Sequence, residues 1–257
     1  MTHDPKQTQK DAKSIGVALV EEFPGGGALR ALLSAASNRN RERKFDQFAD
    51  GLVQAMGLAD QVELFTLIEQ HQDEDWCVEG VEEGFRTVLS SMDPTARKCA
   101  TLLVADYLKC HDVPDRVYRQ FASLFSEADS TILGIIAAIS DAAVRAGGIF
   151  YCFFHRQLGP GLSICIGRNP ERLEGEISLE DFAACCGILQ RNNLASTWNG
   201  AALPGVGTAG QEINKREIDK LQGAIIKMQV ERYQRPLWDR LRTYLGPVRP
   251  GWGKPVT

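Results

Sequence analysis

Apolar residues recur at three- and four-residue steps along most of the first 145 residues, and this spacing predicts a series of amphipathic helices. The clearest helix start is Asp93 as N-cap with Pro94 at the first helical position. An aspartate accepts from the unpaired amides of a first turn, and proline has no amide to leave unpaired there. Residues 132–144 are apolar on nearly all sides, so we expect this helix in the middle of the fold.

Helical patterns also cover several other stretches, each with a recognisable start or stop. They are residues 15–23, 28–36, 39–56, 60–89, 114–125, 178–189 and 211–245. We expect Gly57 to end the third of these and Pro236 to break or kink the last. The acidic run at residues 73–75 sits between two helical patterns and predicts a loop there.

The pattern changes after Ala146 from helical spacing to short segments rich in aromatic and β-branched residues. Residues 149–154 and 162–166, joined by a loop with Gly159-Pro160-Gly161, predict a β-hairpin. Residues 167–175 predict a turn-rich connection, and residues 194–198 a short strand. The predicted fold class is therefore mainly α: a multi-helix bundle with a small β-hairpin in the C-terminal half.

The same changes in pattern predict the domain organisation. We expect a disordered tail over residues 1–13 and a helical domain over 14–145. A mixed part with the hairpin and a C-terminal helix follows over 146–246, and an irregular tail over 247–257.

Composition places the chain among ordinary globular proteins, with 257 residues, 44% hydrophobic and 24% charged. The seven cysteines are an odd number and lie in apolar segments, which is typical of free thiols in a reducing cytoplasm. The sequence contains no run of about 18 uncharged apolar residues, so we do not expect a transmembrane helix. We expect a cytoplasmic protein.

The run Pro24-Gly25-Gly26-Gly27 suggests a phosphate-binding loop, because bare backbone amides bind anions. The lysine and serine or threonine of such a loop do not follow, so a hinge between helices is the favoured interpretation. An interfacial membrane hairpin over residues 15–36 is a second alternative, weakened by Glu21, Glu22 and Arg30.

Several of these features resemble a loose group of uncharacterised helical proteins from bacterial chromosomes and prophages. They are the Pro-Gly-Gly run, the basic start Arg41-Glu42-Arg43-Lys44-Phe45 followed by Phe48 and Leu52, and the small-residue helix at residues 97–108. The resemblance covers about half the chain and carries no catalytic residue. It implies a bacterial or phage-borne protein.

Candidate chemistry is sparse. Cys110-His111 and Cys185-Cys186 are adjacent pairs, and adjacent helical residues point about 100° apart, so we expect neither a metal nor a cofactor. Cys152 and His155 are the one candidate pair for nucleophilic catalysis, beside the hairpin loop. Strict alternation along a strand places Cys152 towards a core instead.

Nucleic-acid binding is the main alternative to a structural interpretation of the charged segments. Residues 132–144, 178–189 and 194–198 resemble the helix, recognition helix and wing of a winged-helix module. The candidate anion contacts are Arg41, Arg43, Lys44, Gln190, Arg191, Lys215, Arg216 and Lys220. The net charge of −4 argues against a protein that coats nucleic acid.

We therefore predict a non-enzymatic protein that acts through protein–protein contacts, with an unknown partner or as a homo-oligomer. Self-association would bring the acidic segment at residues 60–83 against the basic C-terminal residues. A winged-helix-like nucleic-acid-binding regulator is the first alternative, and an enzyme that uses Cys152 or His155 is the second.

The central helix gives the first testable prediction. Ile136→Asp places an unpaired carboxylate in the core, which costs several kcal/mol, so the variant should unfold. Circular dichroism and thermal melting of the purified variant measure this. Soluble protein with an unchanged midpoint would show that residue 136 lies outside the core.

Overall fold

The computed structural model describes residues 39–71, 74–110, 113–146, 150–155, 162–166, 169–172, 177–199 and 224–248. The predicted tail at residues 1–13, the glycine turn, and residues 249–257 of the tail predicted at 247–257 lie outside the described residues. In chain order, the first half forms helices α1 (Arg39–Met56), α2 (Gln61–Gln70), α3 (Asp75–Ser90), α4 (Pro94–Cys110), α5 (Asp115–Glu127) and α6 (Ser130–Ala146).

The second half alternates strands and helices. In order it forms β1 (Phe150–His155), β2 (Leu162–Ile166), β3 (Asn169–Arg172), α7 (Leu179–Arg191), β4 (Ser196–Asn199), β5 (Ala224–Val230), a 3₁₀ turn (Arg232–Gln234) and α8 (Arg235–Tyr244). The predicted fold class is confirmed: the described chain is mainly helical, with the β1–β2 hairpin in its C-terminal half.

The described residues form two compact units. The first contains residues 39–90 and 100–122, and the second contains residues 91–99 and 123–248. Helix α6 belongs to the same unit as the sheet, whereas the sequence suggested a boundary near residue 145. The boundaries of folding domains remain a prediction.

Aromatic side chains form the centre of the first unit. The rings of Phe45 on α1 and Phe85 on α3 meet edge to face, with centroids 5.1 Å apart, and Phe65 on α2 stacks on Phe45. All three are buried, so three helices share one apolar cluster. Gly57 ends α1 as predicted, with φ of 75°, a conformation that favours glycine.

The second unit is built on a five-stranded antiparallel sheet in the order β3-β2-β1-β5-β4. Helix α6 packs against β1, β2, α7 and α8. Its Ile135 and Ile136 are fully buried, which agrees with the central position expected of this helix. The indole Nε1 of Trp238, another fully buried side chain, donates to the Leu194 carbonyl at 2.8 Å and joins α8 to the segment before β4.

The Asp93 carboxylate joins the N-termini of α4 and α6. Its Oδ1 accepts from the amides of Thr95 (2.7 Å) and Ala96 (3.1 Å), and its Oδ2 accepts from the amide of Ser130 (3.0 Å). Burial raises the pKa of Asp93, but the three amide hydrogen bonds outweigh it and lower the pKa overall. The predicted N-cap, with Pro94 at the first helical position, is confirmed and also serves a second helix.

Two predicted elements are wrong. The pattern at residues 211–245 predicted one helix, but its described part contains β5 (Ala224–Val230) before α8. The connection predicted at residues 167–175 contains β3. Strand β5 pairs with β1, which is distant in the sequence, and that pairing overrides local helical propensity. Strand β3 pairs with β2 directly before it, and only residues 167 and 168 separate the two in the chain.

Asp93→Asn should destabilise the second unit by about 1–2 kcal/mol at neutral pH, because an amide nitrogen then faces the Ser130 amide. The folded pKa of Asp93 is lowered, so its contribution is present above the unfolded pKa of about 3.9 and is lost as pH falls through the folded value. Urea unfolding at several pH values should therefore show a difference between wild type and variant that shrinks at acid pH. A difference that does not change with pH would contradict the role of the charge.

Candidate functional site

The first unit contains a groove of about 320 Å³ between α3, α4 and α5, which we call the acidic groove. It is lined by Glu79, Gly80, Glu82, Glu83, Arg86, Tyr107, Asp115, Tyr118 and Arg119. Four carboxylates against two guanidiniums leave the lining with an excess of negative charge.

Two stacked tyrosines form the floor of the acidic groove. The rings of Tyr107 and Tyr118 lie 4.2 Å apart between centroids, at 28°. The Tyr107 hydroxyl donates to Asp115 at 2.8 Å, and the Tyr118 hydroxyl donates to the Gly80 carbonyl at 2.5 Å. Both side chains are almost completely buried, so the ring faces contact each other and do not offer a surface for a cation.

Two glycines on α3 allow the tyrosines to lie against the helix backbone. A Cβ at position 80 would lie 2.5 Å from the Tyr107 ring. A Cβ at position 84 would overlap the Val104 side chain and lie 3.0 Å from the Tyr118 hydroxyl. The Gly-x-x-x-Gly spacing puts both on one face of α3, and this is the sequence signal for the floor of the groove that the sequence analysis missed.

The rim of the acidic groove carries two exposed ion pairs. Arg119 bonds Glu79 at 3.0 Å, and Arg86 bonds Glu83 at 2.8 Å. Pairs this exposed contribute about 0–1 kcal/mol each, so their main effect is on the field in the groove. Glu82 has no partner among the described residues, and it leaves a half-exposed negative charge in the lining.

The tyrosine hydroxyls stay protonated at any physiological pH. Burial, with the hydrogen bond to Asp115 and its negative charge, raises the pKa of Tyr107 to about 12. Burial raises the pKa of Tyr118 still further above its usual value. Both hydroxyls therefore act as fixed donors that hold the groove floor, and not as acids or bases.

The second unit contains a cleft of about 380 Å³ at the end of the sheet where β4 begins and β5 ends, which we call the polar cleft. It is lined by Gln190, Asn193, Ala195, Ser196, Thr197, Tyr233 and Gln234. No charged side chain is among these residues. Its chemistry is that of amides, hydroxyls and one aromatic ring.

Buried hydrogen bonds hold the polar cleft in shape. Gln234, which is buried, donates from Nε2 to the Asn193 carbonyl at 3.0 Å and accepts from the Glu231 amide at 2.8 Å. Asn193 adopts φ of 52°, a conformation that asparagine tolerates better than most residues. The hydroxyl of Thr197 donates to the Gln190 side-chain carbonyl.

The predicted anion contacts do not form one site. Arg43 is exposed on α1, whereas the Lys44 ammonium donates to the Leu89 carbonyl at 2.9 Å within the first unit. Gln190 lines the polar cleft, and Arg191 beside it pairs with Glu127. The side chain of Arg41 and all of Lys215, Arg216 and Lys220 lie outside the described residues.

Five of the seven cysteines have side chains that the structure describes, and all five are buried thiols. They are Cys77, Cys99, Cys152, Cys185 and Cys186. Burial raises the pKa of Cys77 to about 11 and of Cys99 and Cys186 to about 12, and the pKa of Cys185 is also raised. Thiols in such surroundings are protonated at neutral pH, which disfavours nucleophilic chemistry.

The Cys152–His155 pair gains no support from these positions. The Cys152 side chain is fully buried, as strand alternation indicated. The backbone of His155 pairs with Ala224 after an irregularity in the β1–β5 register, and its side chain lies outside the described residues.

The described residues contain neither a metal-binding cluster nor a helix that could span a membrane. No group of three or more His, Cys, Asp and Glu side chains there is placed to hold a metal ion. Among the helices described, none combines the length and the apolar character needed to cross a bilayer.

Gly80→Ala tests the close packing that forms the groove floor. We expect it to lower the free energy of unfolding by about 1–3 kcal/mol, since the added methyl displaces Tyr107. Gly187→Ala on α7 is the matched control: its nearest neighbour is the flexible end of Arg191 at 3.4 Å, and the gain in helix propensity should stabilise the protein by up to about 1 kcal/mol. Equal effects of the two substitutions in urea unfolding would contradict the packing.

The acidic groove and the polar cleft are concave surfaces of the described residues whose polar and charged linings could bind a ligand or a partner. Comparisons with models of protein families, with curated proteins and with solved structures found no match. The resemblance to helical proteins of bacteria and prophages stays a prediction.

Proposed function

We propose that this is a non-enzymatic cytoplasmic protein that acts through protein–protein contacts and binds a second copy of itself. The observation that carries the proposal is the opposite charge of the two compact units. Residues 1–90 and 100–122 contain 19 acidic and 12 basic residues, a net charge of −7. Residues 91–99 and 123–257 contain 14 acidic and 17 basic residues, a net charge of +3.

The acidic groove is the surface of the first unit that fits a basic partner. Its polar floor is rigid because both tyrosine hydroxyls are hydrogen-bonded, so binding orders few side chains there. At its rim, Glu79 pairs with Arg119 and Glu83 pairs with Arg86. Glu82 could therefore bind a cation of the partner. Complementary charge of this kind guides association and selects the partner.

The second copy supplies arginines of suitable exposure. On α8, Arg242 is exposed and forms a surface ion pair of 2.9 Å with Asp141, and Arg232 is exposed on the preceding turn. A contact between an acidic surface on one copy and a basic surface on the next is heterologous. Such contacts produce rings or open chains of subunits.

The alternative functions receive less support. The predicted recognition helix α7 buries Phe182, Cys185 and Leu189 and exposes Glu180 and alanines, which offers little to the major groove of a duplex. The winged-helix prediction and the enzyme prediction both remain, but neither has a described site with the required chemistry.

Glu82→Lys tests the proposed self-association. The substitution reverses one charge in the acidic groove and should raise the dissociation constant about 2- to 10-fold at low salt. Sedimentation equilibrium over a wide range of protein concentration measures it. The wild type should also dissociate as salt rises, because exposed charges are screened.

Glu69→Lys on α2 is the matched control, since Glu69 is also half-exposed but lies outside the lining of the groove. It changes the net charge of the first unit by the same amount but leaves the groove lining intact, so it should raise the dissociation constant less than Glu82→Lys does. A wild-type protein that is monomeric at all concentrations at low salt would overturn the proposal, as would equal effects of the two substitutions.

A further inference from the structure

The polar cleft has the lining of a ligand site without a charged catalytic group. Its volume of about 380 Å³ lies within the range of roughly 300–1,000 Å³ that is usual for sites of small organic groups. Its floor is fixed by Gln234, and its residues come from α7, the loop before β4, β4 itself and the turn after β5. A rigid cleft assembled from four segments can hold one planar group in a defined orientation.

The ring of Tyr233 is the most unusual feature of the cleft. It is 74% exposed, and it is one of three large apolar side chains that the described chain leaves in contact with water. The other two, Val62 and Met92, line neither groove. An exposed aromatic ring at the mouth of a polar cleft is suited to stacking against another flat ring.

The polar side chains beside Tyr233 can pair with the edge of such a ring. Gln190 receives the Thr197 hydroxyl on its carbonyl oxygen, and this fixes the amide so that its NH₂ group remains a donor. Asn193, which is exposed, and Ser196 add further donors and acceptors, and none of their side-chain atoms is bonded within the described chain. Nucleobases are flat rings that present donors and acceptors along one edge.

The charge around the cleft favours an anionic ligand. Arg232 is exposed and adjacent to Tyr233 in the 3₁₀ turn, whereas Arg191, which follows Gln190 at the end of α7, is already paired with Glu127. The unit that contains the cleft carries a net charge of +3. Cations placed beside a stacking ring are the arrangement with which proteins bind single-stranded nucleic acid.

We propose that the polar cleft binds an unpaired base of single-stranded RNA or DNA. Tyr233 stacks on the base, Gln190, Asn193 and Ser196 pair with its edge, and Arg232 contacts a neighbouring phosphate. This ligand differs from the duplex that a winged-helix module would read, because a base in a duplex is already stacked and paired. The acidic groove contributes no residue to the polar cleft, but Arg232 is shared with the proposed self-association, so a single strand and a second copy compete for this side chain.

The test is a fluorescence-anisotropy titration of the full chain with labelled single-stranded oligonucleotides of roughly 4–16 nucleotides. Tyr233→Ala should weaken binding about 5- to 150-fold, the loss expected from one stacked base. Tyr233→Trp keeps a stacking ring and should retain binding. Met92→Ala is the matched control, since Met92 is 89% exposed and lies outside the cleft, and it should bind as the wild type does.

A salt titration, a duplex and a mononucleotide distinguish binding of an unpaired base in a strand from binding of phosphate or of a free base. Affinity should fall as salt rises, with a slope of about −0.7 for each phosphate contacted in a single strand. A duplex of the same sequence and a free mononucleotide should both bind much more weakly than the single strand. Binding of duplex or mononucleotide as tight as that of the single strand would overturn the proposal.

No binding at low salt would overturn it as well, and so would a Tyr233→Ala variant that binds like the wild type while keeping its thermal midpoint. Glu82→Lys serves as a cross-check on the proposed function. It should change self-association and leave the affinity for single strands unaltered or slightly higher, so failure of either proposal is seen separately.

Discussion

The Asp93 carboxylate holds the amide ends of two helices at once, and the architecture of the second unit depends on this interaction. Each helix start has unpaired amides and partial positive charge, and one carboxylate shared between two starts accepts from amides of both. Together with Asp129, whose Oδ1 accepts from the Ile132 amide at 2.8 Å, this contact fixes where α6 begins. Since α6 is mostly buried over residues 132–140 and packs against the sheet, α7 and α8, its starting point sets the position of the elements around it.

Close helix packing has the corresponding role in the first unit. Gly80 and Gly84 remove two side chains from one face of α3, so Tyr107 and Tyr118 stack directly on the helix backbone. The same contact leaves the acidic groove between three helices, with its hydroxyl donors already bonded. A structural requirement of the helix packing has therefore shaped a surface on which carboxylates are concentrated.

The described thiols are shielded from water, and none of them lines the acidic groove or the polar cleft. All five are buried, and every buried side-chain nitrogen or oxygen of the described chain has a hydrogen-bond partner. The acidic groove has fixed donors and surface charge, and the polar cleft has amides, hydroxyls and Tyr233. Such surfaces recognise a ligand by charge, stacking and hydrogen bonding, which favours binding over bond-breaking chemistry.

The sequence by itself determined the helices that have strong local signals: the Asp93-Pro94 start, the stop at Gly57 and the apolar helix over residues 132–144. It also determined the β1–β2 hairpin, because alternation and turn residues are local properties. It could not determine β5, which forms through pairing with the distant strand β1, nor either groove. It also missed β3, whose four residues contain a proline and look like part of a turn. In the sequence, Tyr107 and Tyr118 of the acidic groove look like ordinary core residues. Gln190 and Tyr233 of the polar cleft are 43 positions apart. Only tertiary contacts brought them together, because a surface formed by several elements leaves no periodic trace in any one of them.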